Sequence, residues 1–358
     1  MSLQVTDPTN YPGWDEVLEC SPGATFFHSS AWADTLKKTY GFHPHYFVVF
    51  DNGKLSALVA VMEVNSFLTG KRGVSLPFTD FCEPLLDGGL PFEDVFEGVL
   101  AIGKKRGWQY MELRGGERFL ARSVSASDGD SRFREKPRAS SRYLLHSVDL
   151  TGAEGEVLNR LRDSTRRNIR KAQRLKVEVK FLNTAEAMDD FYRLNILTRK
   201  RHGLPPQPRA FFTNFYREVI SKGKGIVALA YQRERPVAAN IFCFWGREAI
   251  FKYGASDRAV QGLRANNLLM WRSMRWLREH GYENLSLGRT EVENQGLRQF
   301  KLGWGAREAT ISYYCYDLKE SSFVERSRDV APWQRWIFSK FPSPLLNLMG
   351  RVLYSHAA

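Results

Sequence analysis

The sequence predicts an α/β protein with mixed sheets, built as two copies of one module. Amphipathic helical patterns alternate with short apolar, strand-like runs along the chain. Two segments also parallel each other, Ala101–Gly115 (AIGKKRGWQYMELRG) and Arg275–Arg289 (RWLREHGYENLSLGR). Each is a helix, a stopping glycine, a strand led by an aromatic residue and a Gly/Arg break. The alternative is that such units recur by chance, as they do in many α/β chains.

The first half predicts two helices, a hairpin closed by Asp51-Asn52-Gly53, and a strand–helix–strand unit. Its elements are helices Trp14–Cys20 and Ser29–Tyr40, strands His45–Phe50, Leu55–Val64 and Val74–Phe78, helix Pro91–Lys105, and strands Trp108–Leu113 and Tyr143–Leu150. The polar segment Ser123–Ser141 predicts an exposed loop.

The second half repeats this order. Its predicted elements are helix Gly155–Lys176, strand Val177–Leu182, helices Ala185–His202 and Phe211–Ser221, strands Ile226–Tyr231, Val237–Trp245 and Ala249–Tyr253, helix Ala265–His280, strand Asn284–Leu287, a short helix carrying Phe300-Lys301, and strand Thr310–Tyr316. The repeat predicts a domain of residues 1–150, a second of residues 151–320, and an amphipathic tail of residues 321–358.

The tail combines aromatic residues with an apolar helical stripe. The aromatics are Trp333, Trp336, Phe338 and Phe341, and the stripe is Leu345, Leu348, Met349, Val352 and Leu353. The helix is too short to span a bilayer. It is expected to dock on one of the domains or to lie in a membrane interface.

The charge balance points to an anionic partner. The chain has 358 residues, a net charge of +13 and a pI of about 9.6. Nucleic acid, anionic lipid and a phosphorylated substrate all fit this balance, as does a basic surface kept for solubility. The four cysteines form no C-x-x-C pair, so no metal site is predicted. No signal-peptide pattern and no membrane-length apolar run is evident, which favours a cytoplasmic location.

The stretch Tyr282–Gly305 (YENLSLGRTEVENQGLRQFKLGWG) is the strongest candidate for a functional site. A strand ends at Gly288 and opens into charged side chains before a short helix. α/β folds commonly place chemistry at such a strand end. The alternative is an ordinary strand–loop–helix connection.

Several motifs together resemble the FemAB-related transferases, a group with two GNAT-type acyltransferase domains, and in particular their exopolysaccharide- and protein-sorting-associated subgroup. The motifs are SLPF at Ser75–Phe78, MELRGG at Met111–Gly116, LRDSTRRNIRKAQR at Leu161–Arg174, FYRLNILTRKRHGLP at Phe191–Pro205, NNLLMW at Asn266–Trp271 and LGRTEVENQGLRQFKLGWGA at Leu287–Ala306. The resemblance implies acyl or aminoacyl transfer to an amine or hydroxyl of a lipid-linked or sugar precursor of the cell envelope or of an exopolysaccharide. It implies acyl-CoA or aminoacyl-tRNA as donor, no permanently bound cofactor, and contact with an anionic membrane surface.

The chain departs from the family pattern in two respects. Members that use tRNA carry a long helical arm, whereas Glu156–Lys176 here leads straight into a strand. GNAT proteins that bind acetyl-CoA carry a Q/R-x-x-G-x-G/A loop, whereas Gln261–Asn266 lacks that glycine spacing. The sequence therefore leaves the donor open.

Direct transfer needs a group to accept the amine's proton and a group to stabilise the oxyanion. Lys301 is predicted to stabilise the oxyanion, and it falls on the lysine after phenylalanine in the family's closing motif. Glu291 is predicted to accept the proton, and Arg289 to bind a phosphate or carboxylate. The alternatives are a solvated lysine and a surface ion pair between Arg289 and Glu291.

Other residues are predicted to contact substrate. Phe78 lies in the SLPF motif, and Asp80 after it is predicted to orient an acceptor amine, with a local Asx cap as the alternative. Tyr253 is predicted to line the cleft, although a half-buried strand tyrosine is the more common outcome. Arg199 and Arg201 precede the proline-rich loop that borders the acceptor cleft in the family.

The segment Arg160–Lys176 is strongly basic. Its apolar residues keep helical spacing, so its eight basic residues populate the opposite face. This face predicts contact with a polyanion, or a solvated charged surface. Two alternatives to a transferase remain: a nucleic-acid-binding protein, and a non-catalytic protein of polysaccharide assembly that keeps the fold.

Overall fold

A computed structural model describes residues 2–87, 90–125, 137–326 and 341–356. Up to residue 149 its elements are β1 Gln4–Thr6, α1 Trp14–Glu19, a 3-10 turn Phe26–His28, α2 Ser30–Tyr40, β2 His43–Asp51, β3 Lys54–Ser66, β4 Gly70–Val74, β5 Leu85–Leu86, α3 Phe92–Lys105, β6 Tyr110–Arg114, α4 Glu117–Ser125 and β7 Ser141–Asp149.

The second half is described in the same way. Its elements are α5 Glu154–Arg160, α6 Asp163–Arg174, β8 Glu178–Leu182, α7 Ala185–Arg201, α8 Arg209–Phe215 with a π-helical turn Tyr216–Ile220, β9 Gly225–Gln232, β10 Arg235–Trp245, β11 Glu248–Ser256, a 3-10 turn Arg258–Leu263, α9 Ala265–Glu279, β12 Asn284–Glu291, α10 Gln295–Leu302, β13 Arg307–Asp317, β14 Ser322–Val324 and α11 Ser343–Leu353.

The chain divides by contact into two units. Unit 1 comprises residues 1–143, 310–329 and 353–358, and unit 2 comprises residues 144–309 and 330–352. The boundaries predicted near residues 150 and 320 divide the repeated sequence modules, whereas these two units are defined by contacts. The predicted boundaries therefore remain a prediction. The tail residues Trp333, Trp336 and Phe338 lie outside the described residues.

The two units repeat one strand arrangement. In unit 1, β2, β3 and β4 are antiparallel neighbours, and β4 then pairs in parallel with β6 after α3 crosses over. In unit 2, β9, β10 and β11 are antiparallel neighbours, and β11 pairs in parallel with β12 after α9. The predicted doubling of one mixed α/β module is therefore confirmed.

Each unit has its own apolar core. In unit 1, α3 packs Val95, Phe96 and Val99 against the sheet, beside Phe47 and Trp108. In unit 2, α9 packs a broad apolar face, including Leu268, Trp271 and Met274, against β9 and β10. These faces follow from apolar spacing of three and four residues along each helix.

Two predicted elements are wrong. The predicted strand Val74–Phe78 ends at Val74, because Leu76 and Phe78 have φ of +56° and +60°, which no strand allows. The predicted helix Gly155–Lys176 is two helices. The backbone is extended at Leu161 and Arg162, and the Arg162 amide donates to the Gly303 carbonyl at 3.1 Å. A contact distant in sequence thus interrupts a continuous helical pattern.

The tail helix α11 packs one face on unit 2. Leu346 is buried, and Gly350 lies so close to the Pro206 carbonyl that an added Cβ would be 2.0 Å from its oxygen. Leu345, Leu348 and Val352 remain exposed. The other two residues of the predicted apolar stripe, Met349 and Leu353, are half-buried, so the buried face of α11 is formed by Leu346 and Gly350 and not by the stripe.

We expect Gly350→Ala to lower the free energy of unfolding by about 1–3 kcal/mol, because the new methyl group would push α11 from Pro206. The matched control is Gly155→Ala in α5, where nothing lies within 4 Å of the added Cβ. That control should raise stability by up to about 1 kcal/mol. Chemical denaturation of both variants measures the two effects, and equal stabilisation by both would contradict the packing of α11.

His28 makes the stability of unit 1 depend on pH. The ring is buried; its Nδ1 accepts from the Thr25 amide at 3.1 Å, and its Nε2 donates to the Glu83 carbonyl at 3.0 Å. Burial lowers the pKa of His28 from 6.5 to about 4. Between these two pH values the imidazole of His28 is protonated in the unfolded chain but neutral in the folded chain. The free energy of unfolding therefore falls as pH drops from about 6.5 towards about 4.

The expected loss from His28 is roughly 3 kcal/mol over that range. Urea denaturation across the range measures it, with His28→Gln as the variant and His43→Gln, at an exposed position, as the control. The His28 variant should show the weaker pH dependence. An unchanged slope would mean that other groups account for the acid sensitivity.

Candidate active site

The sheet of unit 2 opens between β11 and β12. The parallel pairing covers Glu248–Asn284, Ala249–Leu285 and Ile250–Ser286, although β11 runs on to Ser256 and β12 to Glu291. Gly288, with φ of +72°, lies in β12 just beyond the last pair. The two strands therefore separate, and this leaves backbone amide groups at the opening that another molecule can pair with.

A cavity of about 320 Å³ lies at the end of β11 and the start of α9. Its polar lining comes from α6, α7, the 3-10 turn and α9, and Phe300 of α10 adds an apolar wall; the main residues are Asn168, Arg201, Ser256, Asp257, Arg258, Gln261, Arg264, Asn266, Asn267 and Phe300. Its single carboxylate, Asp257, is paired with Arg235 at 2.6 Å. The three lining arginines therefore give the cavity a positive potential.

Arg264 begins α9 in a left-handed conformation, with φ of +57° and ψ of +27°. No side chain caps this helix end, so first-turn amide groups remain available to an anion. The Arg264 Nε is buried and has no hydrogen-bond partner among the described residues. A cation and a helix N-terminus thus lie at the same place in the cavity.

Lys301 is buried in the last turn of α10, with 4 % of its surface exposed. Its Nζ donates to the carbonyls of Gly288 and Arg289, both at 2.8 Å. These carbonyls belong to the part of β12 that has left β11. The alternative of a solvated lysine is therefore wrong, and the side chain fixes a positive charge at the opening, next to the cavity-lining Phe300.

Behind Lys301 lies a charged network that the sequence did not reveal. Glu308 accepts two hydrogen bonds from Arg298 of α10, both at 2.8 Å, and it lies 3.1 Å from the Nε2 of His146 in β7. The His146 ring is buried and its Nδ1 has no partner among the described residues. Burial, and then the charge of Lys301, lower the pKa of His146, so the ring is neutral at pH 7.

The contacts of Arg298 and Lys301 together hold α10 in place. Arg298 and Lys301 lie one turn apart on α10, so the Glu308 pair and the two carbonyls of β12 fix both ends of the same turn. A spacing of 162 residues separates His146 from Glu308, which explains why no sequence motif indicated the pair.

Comparison with known proteins identifies the module. The profile of the acetyltransferase (GNAT) domain matches residues 159–306, which lie within unit 2. Residues 159–306 therefore form a GNAT domain. The solved structure of FemX matches with a TM-score of 0.69 at 14% identity, over 89% of this chain and 98% of that chain. The predicted resemblance to the FemAB-related tandem GNAT proteins is thus confirmed for the fold.

Other solved structures share this fold. L-PGS from Bacillus licheniformis matches with a TM-score of 0.54 at 17% identity, over 93% of this chain and 97% of that chain. A tandem GNAT protein from the clavulanic acid biosynthesis pathway gives 0.55 at 10% identity, over 88% and 99%. No sequence among the curated proteins matches the chain. At these identities the likeness establishes the fold alone.

The GNAT domain brings some of the predicted residues to the cavity. Arg201 lines it directly. Arg289 lies at the opening, where its carbonyl accepts from Lys301, and Glu291 is exposed at the end of β12. Arg199 lies in the last turn of α7, and its Nε donates to the Pro205 carbonyl at 3.3 Å, which braces the proline-rich loop.

Tyr253 lies elsewhere in the GNAT domain. Its ring packs among four phenylalanines, with centroid separations of 5.7–6.3 Å; they are Phe191, Phe211, Phe212 and Phe215. It is absent from the lining of the cavity at α9. The ring therefore packs α7 and α8 on β11, which was the more common outcome foreseen for a strand tyrosine.

Asp80 and Phe78 belong to unit 1, where the chain fills the corresponding strand end. After Val74, the loop folds across the end of β4, and Arg114 donates to the carbonyls of Leu76 and Thr79 at 3.1 and 3.3 Å. The Asp80 carbonyl accepts from the Tyr313 hydroxyl at 2.6 Å. The Phe78 ring packs with Tyr40, Phe42 and Tyr354.

Two further observations concern the described residues as a whole. Among the described residues, no group of three or more His, Cys, Asp or Glu side chains is arranged to bind a metal ion. None of the helices in the described ranges is long and apolar enough to cross a membrane.

Proposed function

We propose that the chain is an acyl or aminoacyl transferase that acts directly on an amine or hydroxyl of a cell-envelope or exopolysaccharide precursor. The observation that carries this proposal is the electropositive cavity of unit 2, which lies between the end of β11 and the N-terminus of α9. Acyl-CoA carries a pyrophosphate one pantetheine arm away from its thioester carbonyl, and aminoacyl-tRNA carries phosphates close to its ester carbonyl, so both have an anionic group that matches such a site.

The donor's phosphate is held at the start of α9. Arg258 and Arg264 supply charge, and the uncapped amide groups of the helix supply hydrogen bonds. The pantetheine arm of acyl-CoA then lies along the opening between β11 and β12, where the free strand edge pairs with its amides. This arrangement replaces the glycine-rich loop that Gln261–Asn266 lacks.

Transfer proceeds by attack of the acceptor on the donor carbonyl. A bond forms between the acceptor's nitrogen or oxygen and the carbonyl carbon, and the C–S or C–O bond to the donor breaks. The leaving thiolate or ribose alkoxide takes up the proton that the acceptor loses. Glu291, exposed at the end of β12, accepts the proton of the acceptor. Lys301 stabilises the oxyanion through a positive charge that is already fixed before reaction.

The basic face of α6 favours a polyanionic donor. Thr165, Ile169 and Ala172 are buried, as the helical spacing predicted, and the basic residues Arg162, Arg167, Arg170, Lys171 and Arg174 are exposed. Asn168 of the same helix lines the cavity. A tRNA bound along this face would bring its aminoacylated end near the cavity, whereas acyl-CoA would use the cavity alone.

The comparisons support the proposed acceptor class. FemX and L-PGS share the fold of this chain, and the motifs in Leu287–Ala306 resemble those of envelope transferases.

Radiolabelled transfer from a panel of donors tests the proposal. The purified chain is incubated with labelled acyl-CoA or aminoacyl-tRNA and with lipid-linked or nucleotide-linked sugar acceptors. Label is expected in the acceptor with one donor class. No transfer from any donor would favour a non-catalytic assembly protein, and salt-sensitive binding of duplex DNA without transfer would favour a nucleic-acid-binding protein.

A further inference from the structure

The turn between β3 and β4 in unit 1 exposes two large apolar side chains. Phe67 is 83 % exposed and Leu68 is 58 % exposed, which are the highest values among the large apolar residues that the structure describes. They are neighbours at the tip of the hairpin. An isolated exposed leucine needs no explanation, but an adjacent phenylalanine and leucine at a hairpin tip favour an interaction site.

The turn is rigid. The Ser66 hydroxyl accepts from the amides of Leu68 and Thr69 at 3.2 and 3.0 Å. Arg72, which is buried, donates to the Thr69 hydroxyl at 2.6 Å. The tip therefore presents its apolar side chains without having to become ordered on binding.

Residues near the end of the chain brace the same turn. The His356 ring packs edge-on against Phe67 with a centroid separation of 4.5 Å, and its Nδ1 lies 3.0 Å from the Ser66 hydroxyl. The His356 carbonyl accepts from Arg72 at 2.9 Å. These contacts support the base of the Phe67 ring and leave most of it exposed.

The charge around the hairpin is positive. Lys71 and Arg106, which are partly exposed, lie on or beside its two strands. The carboxylate of Glu63, which is buried, is shared between Lys71 and Arg106. The apolar tip is therefore flanked by a net positive charge, on a chain whose net charge is +13.

We propose that the Phe67–Leu68 tip inserts into the interface of an anionic lipid bilayer. Two side chains on a narrow turn cover too little area for a stable protein–protein interface. A bilayer accepts a narrow apolar wedge, and anionic headgroups complement the flanking cations. The proposed function explains why a bilayer is relevant, since a lipid-linked acceptor would be presented there, but binding itself does not require transfer.

Co-sedimentation with vesicles tests this proposal. The full chain is mixed with phosphatidylcholine vesicles that contain or lack phosphatidylglycerol. We expect binding to the anionic vesicles, and a fall of about tenfold or more in the partition coefficient for the double variant Phe67→Ser, Leu68→Ser. The matched control is Leu197→Ser, an exposed leucine of α7, which should bind as the unmodified chain does.

A second variant separates the two exposed apolar surfaces. Leu345→Ser with Leu348→Ser removes the exposed stripe of α11. Loss of binding in this variant but not in the tip variant would overturn the proposal, as would undiminished binding of the tip variant or no binding by the unmodified chain. Transfer to a soluble acceptor should be unchanged in the tip variant, so a failure of the transferase proposal would show separately.

Discussion

Replacing Lys301 by methionine is expected to lower the rate of transfer by about 10²–10³-fold. Methionine keeps the length and the packing of the lysine stem but removes its charge. The charge is fixed at the strand opening by the carbonyls of Gly288 and Arg289. Because this charge is already in place before the reaction, its removal should lower kcat and leave the Kd for the donor nearly unchanged.

The same change also has a structural cost. Two carbonyls lose a charged donor, so the free energy of unfolding should fall by roughly 1–3 kcal/mol. Rates are therefore compared below the unfolding transition, together with the Kd for the donor. The control is Lys180→Met, which removes an exposed lysine of β8. Full activity in the folded Lys301 variant would restrict Lys301 to holding α10 on β12.

Replacing Arg264 by glycine should weaken donor binding and stabilise the fold at the same time. The backbone at Arg264 is left-handed, with φ of +57°. Glycine adopts this conformation without strain, so the free energy of unfolding should rise by about 0.5–1 kcal/mol. Loss of the guanidinium removes a charged contact, so the Kd for the donor should rise by roughly 10–100-fold.

Arg264→Ala separates these two effects. Alanine removes the same charge but keeps the strained backbone, so it should weaken donor binding equally without the gain in stability. Calorimetric titration with a non-reactive donor analogue and chemical denaturation measure both quantities. If neither variant changed the Kd, Arg264 would not hold the donor, and the anion site would have to lie elsewhere in the cavity.

Local patterns in the sequence were sufficient for most of the fold. Helical spacing predicted α3 and α9, and turn chemistry at Asp51-Asn52-Gly53 predicted the hairpin of β2 and β3. The spacing on α6 also predicted which side is buried, as Ile169 shows. These features depend on residues within a few turns of one another, which is why a single sequence is enough to indicate them.

Contacts between distant residues decided the rest. The break at Leu161 depends on Gly303, and the pairing of His146 with Glu308 depends on β7 and β13 approaching one another. The strand predicted at Thr310–Tyr316 exists, but its pairing with β6 in unit 1 is not encoded in its own pattern. The hydrophobic periodicity of one segment does not indicate which other segment packs against it.

The sequence by itself determined that two similar α/β modules form, that one helix face is basic, and that the Phe300-Lys301 segment follows a strand end. Only the tertiary structure decided that Lys301 is buried against two carbonyls, that Arg264 lies at an uncapped helix end in a cavity, and that Tyr253 packs in an aromatic cluster. The reason is that burial and hydrogen-bond partners depend on which elements meet, whereas periodicity and charge are properties of each element alone.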